Sequence, residues 1–277
     1  MGFLERIQKS IRINRSLLCV GLDPDRERLP ETIDPDSDGV RRFLMDIIDA
    51  TAPYAVVYKP NMAFFGSMGI EGLHLLKEVI ECASQHHAVI LDAKFGDIGN
   101  TARHYAHMAC EGFGADAVTV NPYLGRDSIS PFLDAENCYS FILGITSNPG
   151  SKDLQKRELI EGKQLFQHLA ETLESDFPGN NWGWVAGATQ VGELAQLRRV
   201  SPGRWFLVPG VGEQGGALEQ ALVASRTPQG NYHALINASR SVLYASKGSD
   251  YAAKAAEAAC QLVEQMRQCP SFDSATV

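Results

Sequence analysis

No apolar run in the 277 residues approaches the roughly 18 that a membrane-spanning helix needs. The opening segment, MGFLERIQKSIRINRS, lacks the apolar core of a signal peptide. Arg6 stands where a myristoylation pattern requires Ser or Thr. Six cysteines (Cys19, Cys82, Cys110, Cys138, Cys260, Cys269) are scattered with no CxxC, so neither a zinc pattern nor a disulfide framework shows. They read as small buried residues in a reducing compartment, and the expected location is the cytoplasm. Positive charge is also in short supply. Lys plus Arg is 25 against 33 Asp plus Glu, a formal charge of −8. That balance argues against generic binding to nucleic acid or an anionic membrane. Any phosphate must be held by a local cluster of donors.

What is present is ordinary globular material: 44% hydrophobic and 21% charged residues. The length is ample for a large core. One rhythm runs throughout, a short apolar run followed by a longer helical pattern. The strand candidates are residues 16–23, 55–61, 88–94, 117–123, 140–147, 182–189, 204–211 and 233–240. Continuous apolar strands of this kind are buried on both faces, as in parallel sheets. Helical stretches between them include VRRFLMDIIDA, MGIEGLHLLKEVIECASQ, TARHYAHMACEGF and GELAQLRRV, and YAAKAAEAACQLVEQMRQ closes the chain. Eight such units predict an α/β fold, a (β/α)8 TIM barrel, in preference to an open doubly wound sheet. No break in composition divides the chain, so residues 1–277 read as a single domain. Phe3, Leu4, Ile7 and Ile11 share one face of an N-terminal amphipathic helix at about 2–14, and the tail after 269 is expected to fray.

In such barrels the chemistry sits where strands end. The residues to weigh are then Asp23, Lys59, Asp92, Lys94, Asn121, Ser147, Thr189, Gln214 and Arg240. LDAKFGDIGNT (91–101) is the sharpest segment. Alternation on a strand sends Asp92 and Lys94 to the same side, with Asp97 in the following turn. Isolated buried charges are costly, so an Asp and a Lys on an apolar strand call for partners. Lys59 and Asp23 end the two preceding strands and reach the same mouth. A catalytic array and a structural ion-pair network at the rim both fit this pattern.

LVPGVGEQGG (207–216) contains Gly210-x-Gly212-x-x-Gly215 between a strand and a helix, which matches a dinucleotide fingerprint superficially. That fingerprint wants an acidic residue at the end of the next strand, where this chain has Arg240. Arginine and a Gly-rich turn suit a phosphomonoester better than a ribose diol. The loops after strands seven and eight are also the common phosphate site of these barrels. GITSNPGS (144–151) offers hydroxyl and amide donors and begins a longer loop able to act as a lid, or is simply a turn.

Together these segments resemble the orotidine 5′-phosphate decarboxylase family. The motif Asp92-x-Lys94-x-x-Asp97-Ile98-x-x-Thr101 is similar to its catalytic signature. GLDPD (21–25), YKPNMAFF (58–65), TSNPGS (146–151), PGVGEQGG (209–216) and NASRS (237–241) are similar to the longer-chain bacterial branch, type 2. The resemblance spans nearly the whole chain. It implies decarboxylation of orotidine 5′-phosphate to UMP and CO2, the last step of pyrimidine nucleotide synthesis, with no metal or organic cofactor. It implies that Lys94 donates the proton to C6 and that Asp92 sits beside the substrate carboxylate. Lys59 and Asp97 complete an alternating array, with Asp97, Ile98 and Thr101 supplied by the partner subunit of a homodimer. Asp23 and Lys59 hold the ribose hydroxyls and Ser147 meets the pyrimidine. Gln214 and Arg240 hold the phosphate, with Gln214 able to bridge to the base, and Pro209, Gly215 and Ser239 are further substrate-binding residues. The partners implied are the small-molecule substrate and a second copy of the chain, with no nucleic acid and no membrane.

Two alternatives stay open at this point. One is a Mg²⁺-dependent phosphosugar decarboxylase or aldolase of the same superfamily, which carries an acidic residue where Lys59 stands. The other is a non-enzymatic phosphometabolite-binding barrel, which has no use for the Asp92/Lys94/Asp97 cluster. His86–His87 and the His104/His107 pair lack the spacing of a zinc site and read as solvated or helix-packing residues. Trp182 and Trp184 are expected to fill barrel layers or pack on helices.

Overall fold

Eight short apolar segments pair in chain order, and the last returns to the first. They are β1 (Leu18–Leu22), β2 (Ala55–Pro60), β3 (Ala88–Phe95), β4 (Ala117–Val120), β5 (Tyr139–Ile145), β6 (Trp182–Ala186), β7 (Phe206–Pro209) and β8 (Ala234–Ala238). Every pairing is parallel, and β1–β8 contacts close the barrel. All eight predicted strands are present. The structure is a computed structural model, and it describes residues 1–211, 216–269 and 272. The predicted fraying of the tail after 269 therefore lies, apart from Phe272, outside the described residues. Phe272 itself sits 5.8 Å from the Tyr232 ring.

The strands are apolar because both faces are covered. Inside lies the barrel interior, and outside lies a helix layer that includes Ser37–Thr51, Gly69–His86, Leu165–Asp176, Val191–Val200 and Tyr251–Arg267. Trp182 and Trp184 are fully buried and contact the ends of this layer. Their indole N–H groups donate to the Phe177 carbonyl and the Ser201 hydroxyl, each 2.8 Å away, at the C-termini of the two helices packed there. The Thr101–Phe113 helical stretch begins earlier than expected, as the helix Gly99–His107, and ends in a π-helical turn, Met108–Gly112.

The N-terminal helix, Phe3–Asn14, closes the bottom of the barrel. Phe3, Ile7 and Ile11 are buried, and Phe3 stacks on Tyr139 at 5.0 Å. Arg6 pairs with Asp116 at 2.7 Å and donates to the Ser84 and His87 carbonyls. With the bottom sealed by the first helix, the opposite end remains for a site. Among the described residues no helix is long and apolar enough to cross a membrane.

The cysteine expectation needs correction. Cys110 and Cys138 form a disulfide, which ties the π-helical turn to the residue preceding β5. A separation of 28 residues carries no local signal, and only the folded layer brings the two Cα atoms to 5.8 Å. Cys19, Cys82, Cys260 and Cys269 are free thiols, as expected, although Cys82 and Cys260 are only half-buried.

Candidate active site

The C-terminal ends of β2 and β3 carry a linked charge array. Asp92 stands at its centre. Its Oδ2 accepts from Lys59 Nζ at 2.9 Å, and its Oδ1 accepts from Lys94 Nζ at 2.7 Å. A third donor, the Thr119 hydroxyl on β4, reaches the same Oδ1 at 2.9 Å. Lys59 Nζ also faces Asp23 Oδ1, past the end of β1, at 3.9 Å. The four residues that sequence reading placed at one mouth are therefore together.

Burial and charge pull against each other here. Lys59 is 4% exposed and Asp92 8% exposed. Burial alone raises the proton affinity of Asp92, but Lys59 and Lys94 outweigh it and hold the carboxyl well below the usual range. Burial alone pushes the Lys59 ammonium toward neutrality, but Asp92 and Asp23 outweigh it and raise its pKa above the ordinary lysine value. Asp92 and Lys59 are thus both charged across the physiological range. Beneath it, burial pushes the Cys19 thiol up to about 12, so that sulfur is a neutral donor to Asn237 Oδ1 and no nucleophile.

The local backbone departs from simple alternation. β3 and β4 pair in register up to Leu91↔Val118 and resume at Phe95↔Val120, with an irregularity between. Lys94 sits in that irregularity at φ +50°, in the left-handed region where non-glycine residues are uncommon. Both side chains still share the mouth, but a bulge places them there and not the strand pleat. Such backbone strain concentrates at functional sites.

Beside the array lies a cavity of about 450 Å³. Asp23, Asp25, Arg28 and Phe64 line one side, and Gly210 and residues 237–241 with Tyr244 line the other. Tyr244 ties the two sides together. Its hydroxyl accepts from the Asp25 backbone N–H at 2.6 Å and donates to the Asp23 carbonyl at 2.9 Å. The Asp23 Oδ1 and Ser241 Oγ atoms are buried and have no hydrogen-bond partner among the described residues. Gly21 allows Ser239 its place, since a Cβ at position 21 would lie 1.8 Å from Ser239 Oγ. Gly187 does the same for the loop after β5, where a Cβ would lie 2.8 Å from the Ser147 backbone nitrogen. Ser147 is exposed and lies beside Gly210 at the cavity edge. Pro209 ends β7, paired with Asn237.

Not every candidate joins this group. Within one chain Asp97 Oδ1 accepts from the Ile98 backbone N–H, and Asp97 forms no ion pair among the described residues. Ile98 is 56% exposed, and Thr101 is exposed on the helix that follows. Gln214 and Gly215 lie outside the described residues. Asn121 caps the turn after β4, and Thr189 lies past the end of β6. The histidines behave as packing or surface groups: His87 bonds Ser10 and the Ala52 carbonyl, and His107 faces Glu111. Sequence reading missed Thr119, Arg28, Ser241 and Tyr244. Only Thr119 left a trace, as the single polar residue in the strand AVTV.

A closed parallel barrel with a charge array and a polar cavity at the C-terminal mouth has the layout of a (β/α)8-barrel enzyme. Residues 16–256 match the model of the orotidine 5′-phosphate decarboxylase / HUMPS family. An orotidine 5′-phosphate decarboxylase of Herpetosiphon aurantiacus is 45% identical over 258 residues, covering 93% of this chain and 95% of that protein. One from Roseiflexus castenholzii is 43% identical, covering 95% and 96%. Among solved structures, the OMP decarboxylase of Leishmania donovani superposes with a TM-score of 0.79 at 36% identity, covering 96% of this chain and 98% of that one. The chain belongs to the orotidine 5′-phosphate decarboxylase / HUMPS family.

Proposed function

We infer that this chain catalyses decarboxylation of orotidine 5′-phosphate to UMP and CO2 in pyrimidine synthesis, with Lys94 as the group that stabilises and then protonates C6. The family membership supports the reaction. The fixed Lys59–Asp92–Lys94 array at the mouth of the barrel supports the assignment of roles.

Loss of CO2 leaves an electron pair in the plane of the pyrimidine at C6, where no π-system can delocalise it. An ammonium held at that carbon stabilises the charge as it forms, and its hydrogen bond to Asp92 holds it there beforehand. The same ammonium then delivers the proton. Asp92, kept ionised by its lysines, repels the substrate carboxylate in the ground state, and departure of neutral CO2 relieves the repulsion. We assign the larger share to the preorganised ammonium.

The cavity suits the rest of the nucleotide. The orphan Asp23 Oδ1 is an acceptor for a ribose hydroxyl, and Lys59 stands beside it as a donor. Arg240, Ser239 and Ser241 line the far end as phosphate donors, with Gln214 assigned to the phosphate, and Pro209 and Gly215 to substrate binding, by sequence. Ser147 at the cavity edge is assigned to the base. These remote contacts supply binding energy that positions the reacting carbon.

The Mg²⁺-dependent alternative is disfavoured by Lys59, whose ammonium stands between Asp23 and Asp92, where a divalent cation would need those carboxylates. We assign Asp97, Ile98 and Thr101 to the active site of a partner subunit. Exposed Ile98, Tyr123 and Leu124 on the adjoining loops after β3 and β4 form an apolar face suited to burial in a homodimer. The proposed location is the cytoplasm, on the family's place in nucleotide synthesis and not on the cysteines, two of which are paired.

The test is to incubate the purified protein with orotidine 5′-phosphate in EDTA and follow UMP formation by absorbance. Turnover is expected. A folded protein with no turnover contradicts the function.

A further inference from the structure

We propose that Thr119 is a positioning residue for the decarboxylation, setting both Asp92 and the backbone of Lys94 through one hydroxyl. This rests on the function proposed above.

Thr119 is 1% exposed on a strand of otherwise apolar residues. Opposite it, the β3–β4 register skips. Asp92, Ala93 and Lys94 lie between the paired residues Leu91 and Phe95, and only Thr119 lies between their partners Val118 and Val120. The bulge removes ladder acceptors from β3 at this point. The Thr119 Oγ1 replaces them, accepting from the Ala93 N–H at 3.0 Å and from the Lys94 N–H at 2.9 Å. Its own hydrogen goes to Asp92 Oδ1 at 2.9 Å. One hydroxyl has one donor and two acceptor positions, so its capacity is fully used. With those bonds in place Lys94 is held at φ +50° and the Asp92 carboxylate is locked between two lysines. Thr119 does not reach the cavity that we assign to ribose and phosphate. Its loss should therefore fall on the chemical step and not on the grip on the nucleotide.

The experiment compares wild type, Thr119→Ser and Thr119→Ala, measuring kcat and KM for orotidine 5′-phosphate and, by calorimetry, Kd for UMP. Thr119→Ala is expected to lower kcat about a hundredfold, the loss typical of a reacting group misplaced by about 1 Å. KM and the UMP Kd should stay within about threefold, because the remote contacts are untouched. Thr119→Ser keeps the hydroxyl and should stay within about threefold of wild type in kcat.

A folded Thr119→Ala protein that keeps its kcat overturns the proposal. So does one that loses kcat and UMP affinity together, which marks a general structural defect. If Thr119→Ala does not fold, Thr119→Ser decides: retained kcat sustains the proposal, and a loss of more than about tenfold overturns it. A wild-type protein without turnover is a failure of the function itself, not of this inference.

Discussion

Lys94 and Asp92 stand two positions apart in the chain and 2.7 Å apart at their charged tips, although the strand that carries both breaks its pairing between them. The contact depends on a lysine in a backbone conformation that most residues avoid. A group held this way gains no freedom to reorganise during the reaction, which is the condition for electrostatic stabilisation of a transition state.

Asp92→Asn removes the carboxylate that bonds both lysines. Lys59 is then a buried ammonium whose remaining ion-pair partner among the described residues is Asp23, at 3.9 Å. Breaking a buried pair in this way costs about 3–5 kcal/mol of stability. Chemical denaturation should show that loss, and UMP formation should fall to background.

Arg240→Ala is expected to act mainly on binding. Charged hydrogen bonds contribute about 1.5–3 kcal/mol each, so KM should rise about tenfold to a hundredfold. Orotidine without its phosphate is the control. Wild type and variant should turn it over at the same rate if Arg240 contacts only the phosphate, and a difference would show a role elsewhere.

The shared-site dimer predicts complementation. Asp97→Asn and Lys94→Ala homodimers should each be inactive. Mixed under conditions of demonstrated subunit exchange, they should regain activity, because a heterodimer assembles one site with both wild-type residues. No recovery contradicts the assignment of Asp97 to the partner's site.

His87 gives the protein an acid sensitivity away from the active site. Burial lowers its pKa from the ordinary 6.5, and nearby His86 and Arg6 add to the effect, against the bond to the Ala52 carbonyl. Nε2–H donates to that carbonyl, and because the lowered pKa favours the neutral ring in the folded chain, Nδ1 accepts from the Ser10 hydroxyl. The unfolded chain then binds a proton more readily than the folded one. Stability is complete above about pH 6.5 and falls as pH drops toward the folded-state value. Denaturation curves between pH 7 and 5 should show this slope, and His87→Gln should flatten it.

The charged residues were legible in the sequence because they interrupt apolar strands. Asp92 and Lys94 in AVILDAK, and Lys59 in AVVYKP, have no place in a buried sheet unless something meets them. Arg240 was legible by contrast with the acidic residue a dinucleotide site requires. Thr119 left only the trace of one polar residue in AVTV, since a threonine in a strand satisfies β propensity and gives no sign of a bulge across from it. The positive φ of Lys94 and the Cys110–Cys138 bond are silent, because each depends on neighbours distant in the chain. Tyr244 joins Asp23 across more than two hundred residues, and no spacing rule reaches that far.

We assign the reaction to the Lys94 ammonium, fixed by Asp92. The most direct measurement is kcat/KM of Lys94→Ala against wild type in EDTA, with UMP affinity measured alongside. A loss of at least about a thousandfold is expected, the upper range for removing one electrostatic donor, with UMP binding retained. A Lys94→Ala protein that binds UMP and keeps its activity within tenfold of wild type contradicts it.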